Sequence, residues 1–388
     1  MITVVNFEDF LKTYPEETHE RVILYQKVMR LRNVCGYGSK KIAKILNVSR
    51  HRVENWLYGH SVPRPLKATK KLSHLAFSLP LRLDKTAKFQ LLIKLLAFSF
   101  GDGGIAENYR PYFTGMKKDL EFLKKEIESM LHLKCKIIDI HSNTKIGKRK
   151  VLGQSFSLSI QGNGTYSLGR LMVAAGAPMG GKVAKSFLLP KWITKSPKWV
   201  KKLFLEVLLG NELAAPKLDT SRKNSFSPII FRMVKIKELR DSHRCFLNQL
   251  KELLNEFKIK TSGVKEDMER KERKDGKVSC PLYFYINKEM PNVLRFYKNF
   301  QLRYASQKQI IFEHSVEKAV KDLKKELTKI KLYEKTLKLS KNGLGCRRIA
   351  RKLGIPQKRS MIDGWLRYSQ KPEYFNKRKD LEILLKKN

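Results

Sequence analysis

The feature that most constrains this chain is an order of elements stated twice. Residues 88–100 form an apolar stretch with helical spacing that ends on Gly101-Asp102-Gly103-Gly104. β-like runs follow at 110–115, 134–141 and 154–160. A charged helix at 117–133 separates the first two, and a further helix at 164–175 closes the set. After a connector rich in Pro, Gly and Lys (177–197) the order restarts. An apolar helix at 199–209 ends on Gly210-Asn211-Glu212. A strand at 228–234, a helix at 235–257, strands at 259–265 and 278–286, and a helix at 291–300 come next. An α+β core of two halves related by a pseudo-twofold is expected.

A second repeat brackets this core. The string GYGSKKIAKILNVS (36–49) reaches Trp56-Leu57, and GLGCRRIARKLGIP (343–356) reaches Trp365-Leu366. Each reads as helix, tight turn, helix. Ile42, Ala43 and Leu46, like Ile349, Ala350 and Leu353, share one face, and the small Ala lets two helices cross closely. Ser49 can cap the second helix of the first copy, and Pro356 suits a first helical position in the second. The second helices present Arg50, His51, Arg52 and Asn55, or Gln357, Lys358, Arg359 and Ser360, where a recognition helix reaches base edges in a major groove.

Charge points the same way. There are 81 Lys and Arg against 36 Asp and Glu, a formal +45, and a polyanion would relieve the self-repulsion of such a field. With 42% hydrophobic and 10% aromatic residues the chain is no disordered basic tail. The apolar run at 89–100 is interrupted by Lys94 and is too short for a membrane span. Glu8 and Asp9 replace the basic start of a secretory signal, and five scattered cysteines without a CxxC exclude a zinc module and a disulfide framework. A cytoplasmic protein, associated with the nucleoid when bound to DNA, is expected. Met1 in place of a Cys or Ser nucleophile, and Lys387 before Asn388 in place of His, argue for a free-standing protein over an intein.

Asp102 and Glu212 each end an apolar helix, where the macrodipole disfavours a carboxylate, so a compensating cation is expected there. If the two helices pack side by side, the acids meet and repel unless metal neutralises them. Ala97 and Gly101 are small enough for close packing, whereas Val207 and Asn211 are bulkier. In 154–160, Phe156, Leu158 and Ile160 point one way and Ser155, Ser157 and Ser159 the other. Such a sheet leaves a polar face whose hydroxyls, with Arg232 of the second half, can contact nucleic acid.

The stretches LLAFSFGDG (95–103) and LEVLLGNEL (205–213) resemble the two signature helices of the LAGLIDADG homing endonucleases in their single-chain, two-repeat form. The resemblance covers roughly residues 88–313. Gly176–Lys182 (GAPMGGK), PKWI (190–193) and RYASQK (303–308) are similar to phrases of archaeal members. It implies two αββαββα repeats forming a nucleic-acid-binding saddle, which the helix-turn-helix modules read above flank at both ends. It also implies that Asp102 and Glu212 bind Mg²⁺ (or Mn²⁺) and that metal-bound water hydrolyses a phosphodiester on each strand, with Lys182 and Lys308 as the basic rim residues. Leu213 stands where Gly is common in the family.

The expected organisation is an N-terminal helix-turn-helix (1–64), a linker (65–87), repeat 1 (88–182), a connector (183–197), repeat 2 (198–330) and a C-terminal helix-turn-helix (331–388). The expected function is a metal-dependent, site-specific DNA endonuclease acting as a monomer on double-stranded DNA. The alternatives are an RNA maturase or RNA-processing nuclease on the same fold, and a regulator that binds without cutting. The modules tilt the choice to DNA, because side chains cannot read the deep major groove of A-form RNA.

Overall fold

Two apolar helices, Ala87–Phe100 and Lys198–Glu212, run side by side through the centre of the molecule in the computed structural model. The structure describes residues 2–146, 149–219, 221, 225–267, 272–273 and 275–386. Met1, Lys387 and Asn388, on which the free-standing expectation rests, lie outside the described residues. Every residue from Leu91 to Phe100 and from Leu203 to Asn211 is buried, as a helix apolar all round requires. Thr86 caps the first helix by accepting from the Phe89 N–H. Each central helix carries one buried lysine, and each is pinned by it to the amphipathic helix that follows. Lys94 pairs with Glu126 on Lys117–Leu131, and Lys201 pairs with Glu256 on Arg240–Glu256 at 2.6 Å.

Each half supplies an antiparallel sheet to this core. In the first the strand order is Gly103–Ile105, Pro111–Gly115, Arg149–Gln161, Lys134–Ile146. In the second it is Ile229–Ile236, Ser279–Ile286, Lys265–Glu266. Among the described residues the chain after Glu212 forms no counterpart of the strand Gly103–Ile105, and makes isolated bridges from Leu213 to Phe231 and from Leu218 to Phe226. Alternation in the first sheet is as expected: Leu158 and Ile160 are buried, while Ser155, Ser157 and Ser159 lie on the other face.

The duplicated ends fold alike. Helices Glu16–Cys35, Ser39–Leu46 and Arg50–Leu57 enclose a small core of Val28, Ile42, Ala43, Val53 and Trp56. At the other end, the last turns of Ser306–Lys341 with Cys346–Lys352 and Arg359–Arg367 enclose Tyr333, Ile349, Ala350, Ile362 and Trp365. Asn47 and Gly354 make the turns with left-handed backbone, at φ 51° and 69°. An edge-on tyrosine supports each tryptophan: Tyr25 on Trp56 at 5.7 Å and Tyr333 on Trp365 at 5.4 Å.

Both modules are tied to the centre. Strand Thr3–Val5 pairs with Leu81–Arg82, and residues 65–87 carry helix Arg64–His74 and send Leu72, Leu75 and Phe77 into the main core. Ser306–Lys341 runs unbroken from the central core into the C-terminal module. The final helix, Arg378–Lys386, turns back to bury Leu381 in the main core. None of the five cysteines forms a disulfide, and no helix among the described residues is long and apolar enough to cross a membrane.

Candidate active site

The paired helices bring Asp102 and Glu212 close enough for their charges to interact. Gly101 ends the first helix with Asp102 next in the chain, and Glu212 is the last residue of the second. The carbonyl of Asp102 accepts from the N–H of Thr114 at 2.9 Å and from its hydroxyl, which fixes the acid to the neighbouring strand. A cavity of about 140 Å³ opens here, lined by Asp102, Thr114, Asp119, Asn211, Gln307 and Lys308 among others.

Lys182 and Lys308 meet at the same place. Lys182 Nζ donates to the carbonyls of Gly101 and Gly103, the latter at 2.7 Å. Lys308 Nζ donates to those of Gly210 and Asn211, at 2.9 and 2.7 Å. Each ammonium thus sits at a helix C-terminus, where the macrodipole favours a cation. The sequence suggested a metal for that compensation, but two lysines of the chain already provide it.

The electrostatics of the four groups are linked. Burial raises the proton affinity of Asp102 against the opposing pull of Lys308 and Lys182. Burial, and then repulsion from Asp102, push Glu212 up to about 7. Burial also depresses Lys182 and Lys308, although both acids oppose this. Two crowded carboxylates that resist ionisation suit a hard divalent cation, with water and phosphate oxygens completing the shell. Among the described residues no group of three or more His, Cys, Asp or Glu is placed to hold a metal ion, and Asp102 and Glu212 are two carboxylates only.

The helix crossing explains how bulky Asn211 is tolerated. A Cβ on Gly101 would lie 2.9 Å from the Cβ of Asn211, so the missing side chain on one helix makes room for the amide on the other. Val207 and Ala97 are both fully buried, a large and a small residue filling the same core. At Gly103 a side chain would collide with Phe113 and the Tyr112 carbonyl, whereas Leu213 packs into the core of the second half.

The residues that steady Lys308 escaped sequence reasoning. Asp119 accepts from the Ser306 N–H at 3.1 Å and so caps the long helix from another element. Buried Glu206 takes the Arg303 guanidinium at 2.5 Å and its backbone N–H on Glu206's carbonyl at 3.1 Å. Nothing local in the sequence links these pairs. Asp119 reads as an ordinary first-turn acid, and Glu206 as a polar interruption of an apolar helix.

The candidate nucleic-acid contacts fall on the two end modules and on the two sheets, where Ser157 pairs with Thr114, the residue that holds the Asp102 carbonyl. Arg50, His51 and Arg52 are exposed on the helix capped by Ser49. Arg50 pairs with Glu54 at 2.7 Å, and His51 with Asn55 at 3.0 Å. Gln357 and Lys358 lie in a short turn, Pro356–Lys358, and Arg359 opens the next helix, all three exposed. On the first sheet Ser155 donates to the carbonyl of Ile140, with Ser157 and Ser159 further along the strand. On the second, Arg232 pairs with Asp267 at 2.8 Å opposite Tyr283, and Tyr283 and Tyr285 stand edge-on at 5.2 Å. The tyrosines were not singled out from sequence, although their alternation with buried Leu282, Phe284 and Ile286 marks them as outward-facing.

No protein-family model matches the chain. The DNA-directed RNA polymerase subunit Rpo1N of Methanocaldococcus jannaschii is 30% identical over 59% of this chain and 17% of its own length. The tRNA-splicing ligase RtcB of Methanopyrus kandleri is 29% identical over 47% of this chain and 18% of its own. The chain therefore spans less than a fifth of the length of these curated relatives. A solved structure of mesophilic variants of the homing endonuclease I-DmoI aligns with 54% of this chain and 87% of its own, at 14% identity and a TM-score of 0.31.

Proposed function

We propose that the chain is a divalent-metal-dependent endonuclease that hydrolyses phosphodiesters at specific sites in double-stranded DNA, of the LAGLIDADG homing type. The observation that carries this is the meeting of Asp102 and Glu212 at the ends of two paired core helices, flanked by Lys182 and Lys308. A protein that only bound nucleic acid would gain nothing from two proton-hungry carboxylates aimed at phosphates. A bound Mg²⁺ or Mn²⁺ supplies Lewis acidity and lowers the pKa of a coordinated water. The chain supplies the rest. Asp102 and Glu212 hold the ion, and Lys182 and Lys308 bring positive charge to the scissile phosphate while tied to helix-end carbonyls.

The two halves are read as αββαββα repeats that form a saddle over the duplex, each contributing one acid within a single chain. A monomer therefore contains a complete pair. The sheet faces with Ser155, Ser157, Ser159 and Arg232 contact the groove. The terminal modules extend the footprint through Arg50, His51, Arg52, Asn55, Gln357, Lys358 and Arg359. Their shared residues and exposed basic second helices support a DNA role. The protein acts in the cytoplasm, on the nucleoid.

One observation favours an RNA substrate: a relative is named a tRNA-splicing ligase, though the chain covers only 18% of it. One experiment separates the readings. Purified protein with Mg²⁺ is incubated with a random duplex DNA pool and, in parallel, with total RNA, alongside Asp102→Asn. Discrete EDTA-sensitive double-strand cuts, lost in Asp102→Asn while binding persists, are expected. Cuts confined to RNA would move the function to RNA processing, and binding without cutting would leave a regulator.

A further inference from the structure

The two lysines of the candidate site are supported very differently. Lys308 stands in the first turn of the helix Ser306–Lys341, whose start is held by Asp119 and by the Glu206–Arg303 pair. Lys182 stands on a three-residue turn, Lys182–Ala184, within the connector. That turn has two long backbone bonds, from the Ala184 N–H to the Gly181 carbonyl at 3.2 Å and from the Lys185 N–H to the Lys182 carbonyl at 3.4 Å. The Lys182 ammonium is tied to the Gly101 and Gly103 carbonyls, but so short a turn does not by itself fix the backbone that presents it to the tolerance a reacting centre demands.

Lys235 fills this gap from the other half of the molecule. It is 2% exposed, on the strand Ile229–Ile236. Its ammonium donates to the carbonyls of Lys182 and Lys185, the latter at 2.6 Å, which are the first residue of the turn and the residue just after it. The same nitrogen lies 3.5 Å over the ring of Phe187. Among the described residues no carboxylate pairs with it. Burial, then the charge of Lys182, bring its proton affinity down to about 7. Next to it, His243 is buried with neither ring nitrogen hydrogen-bonded. A buried ammonium without a counter-ion, beside a second ammonium and an unsatisfied imidazole, costs folding energy. A chain selected for stability alone would place an apolar residue there.

We infer that Lys235 is a positioning residue: it clamps the turn that carries Lys182 and thereby makes the second half of the molecule set the geometry of the first half's lysine. The inference rests on the nuclease function proposed above, in which Lys182 faces the scissile phosphate. It adds a dependence of one half-site on the other half's sheet.

The test uses the full chain with Lys235→Met and Lys235→Gln. Met fills the volume without donating, and Gln keeps a donor without the charge. Three quantities are read for each: melting temperature, binding to the cleaved duplex, and single-turnover cleavage at saturating protein. Amide exchange at residues 182–185 is followed in the same samples. For Lys235→Met the expected result is an unchanged or higher melting temperature, an unchanged Kd, cleavage slower by on the order of tenfold to a hundredfold, and faster exchange confined to the turn. Lys235→Gln should recover part of both losses. Exchange at 182–185 unaltered in Lys235→Met would overturn the inference. So would a joint fall of melting temperature and cleavage, which marks a merely structural residue. If the wild-type chain cut no nucleic acid, the nuclease function would fail, while the exchange measurement would still decide whether Lys235 clamps the turn.

Discussion

Gly101 and Asn211 face each other across the paired central helices so closely that a Cβ on the glycine would stand 2.9 Å from the Cβ of the asparagine. The spacing of the two acids is set by that contact, because Asp102 and Glu212 are the next residues on each chain segment. Gly101→Ala should therefore force the helix ends apart. Overpacking of this kind costs about 1–3 kcal/mol, measurable by urea unfolding. Cleavage should fall more steeply than binding, and Gly101→Ala/Asn211→Gly, which removes the opposing Cβ, should recover part of the loss if the clash is the cause.

Glu212 links the site to pH even without metal. Its folded affinity of about 7 lies above the ordinary 4.5, so the folded state keeps a proton that the unfolded chain has lost. The penalty is absent below 4.5, grows as pH rises to about 7 and is full above it. Glu212→Gln should match the wild type in stability near pH 4 and exceed it at pH 8, as read by paired thermal melts. Mg²⁺ should raise the melting temperature of the wild type more than that of the variant.

His243 works with the opposite sign. Burial, then the charge of Lys235, lower it from 6.5 to about 3, so it stays neutral in the fold while the unfolded chain takes up a proton below 6.5. Its contribution to stability is complete above pH 6.5 and is lost as pH falls towards 3. His243→Leu should flatten the stability profile between those limits. A profile parallel to the wild type would show that this imidazole is solvated in the folded protein.

The paired modules make a graded prediction. Arg52→Ala and Arg359→Ala, each on an exposed helix start, should leave the melting temperature unchanged. Each should also make the salt slope of duplex binding shallower by roughly one unit for every phosphate no longer neutralised. A slope unchanged by either substitution would take that module off the DNA.

What the sequence made legible follows from how far each signal reaches along the chain. The central helices were readable because they are apolar on every side, and the end modules because Ile-Ala and Trp recur in register. The hairpin strands Lys134–Ile146 and Arg149–Gln161 run beyond the expected 134–141 and 154–160, since their polar outer parts lack alternation. The place of Lys182 and Lys308 beside the acids came from resemblance alone. The partners that hold them, Lys235, Glu206 and Asp119, join elements distant in sequence, and no periodicity records such a pairing. Tyr25 and Tyr333 extend the duplicated ends into the preceding helix. A search begun at Gly36 and Gly343 stops one element short of them.

The unbroken helix Ser306–Lys341 carries Lys308 near one end and Tyr333, beneath Trp365, toward the other. At about 1.5 Å per residue these two points stand roughly 38 Å apart, close to one turn of B-form duplex. On the function proposed above, the helix is a ruler as well as a tether. Inserting a single residue would lengthen it by only about 1.5 Å but swing the far module through roughly 100°, out of phase with the groove. A nuclease built this way would change the distance between its cut and its outlying anchor only in whole helical turns.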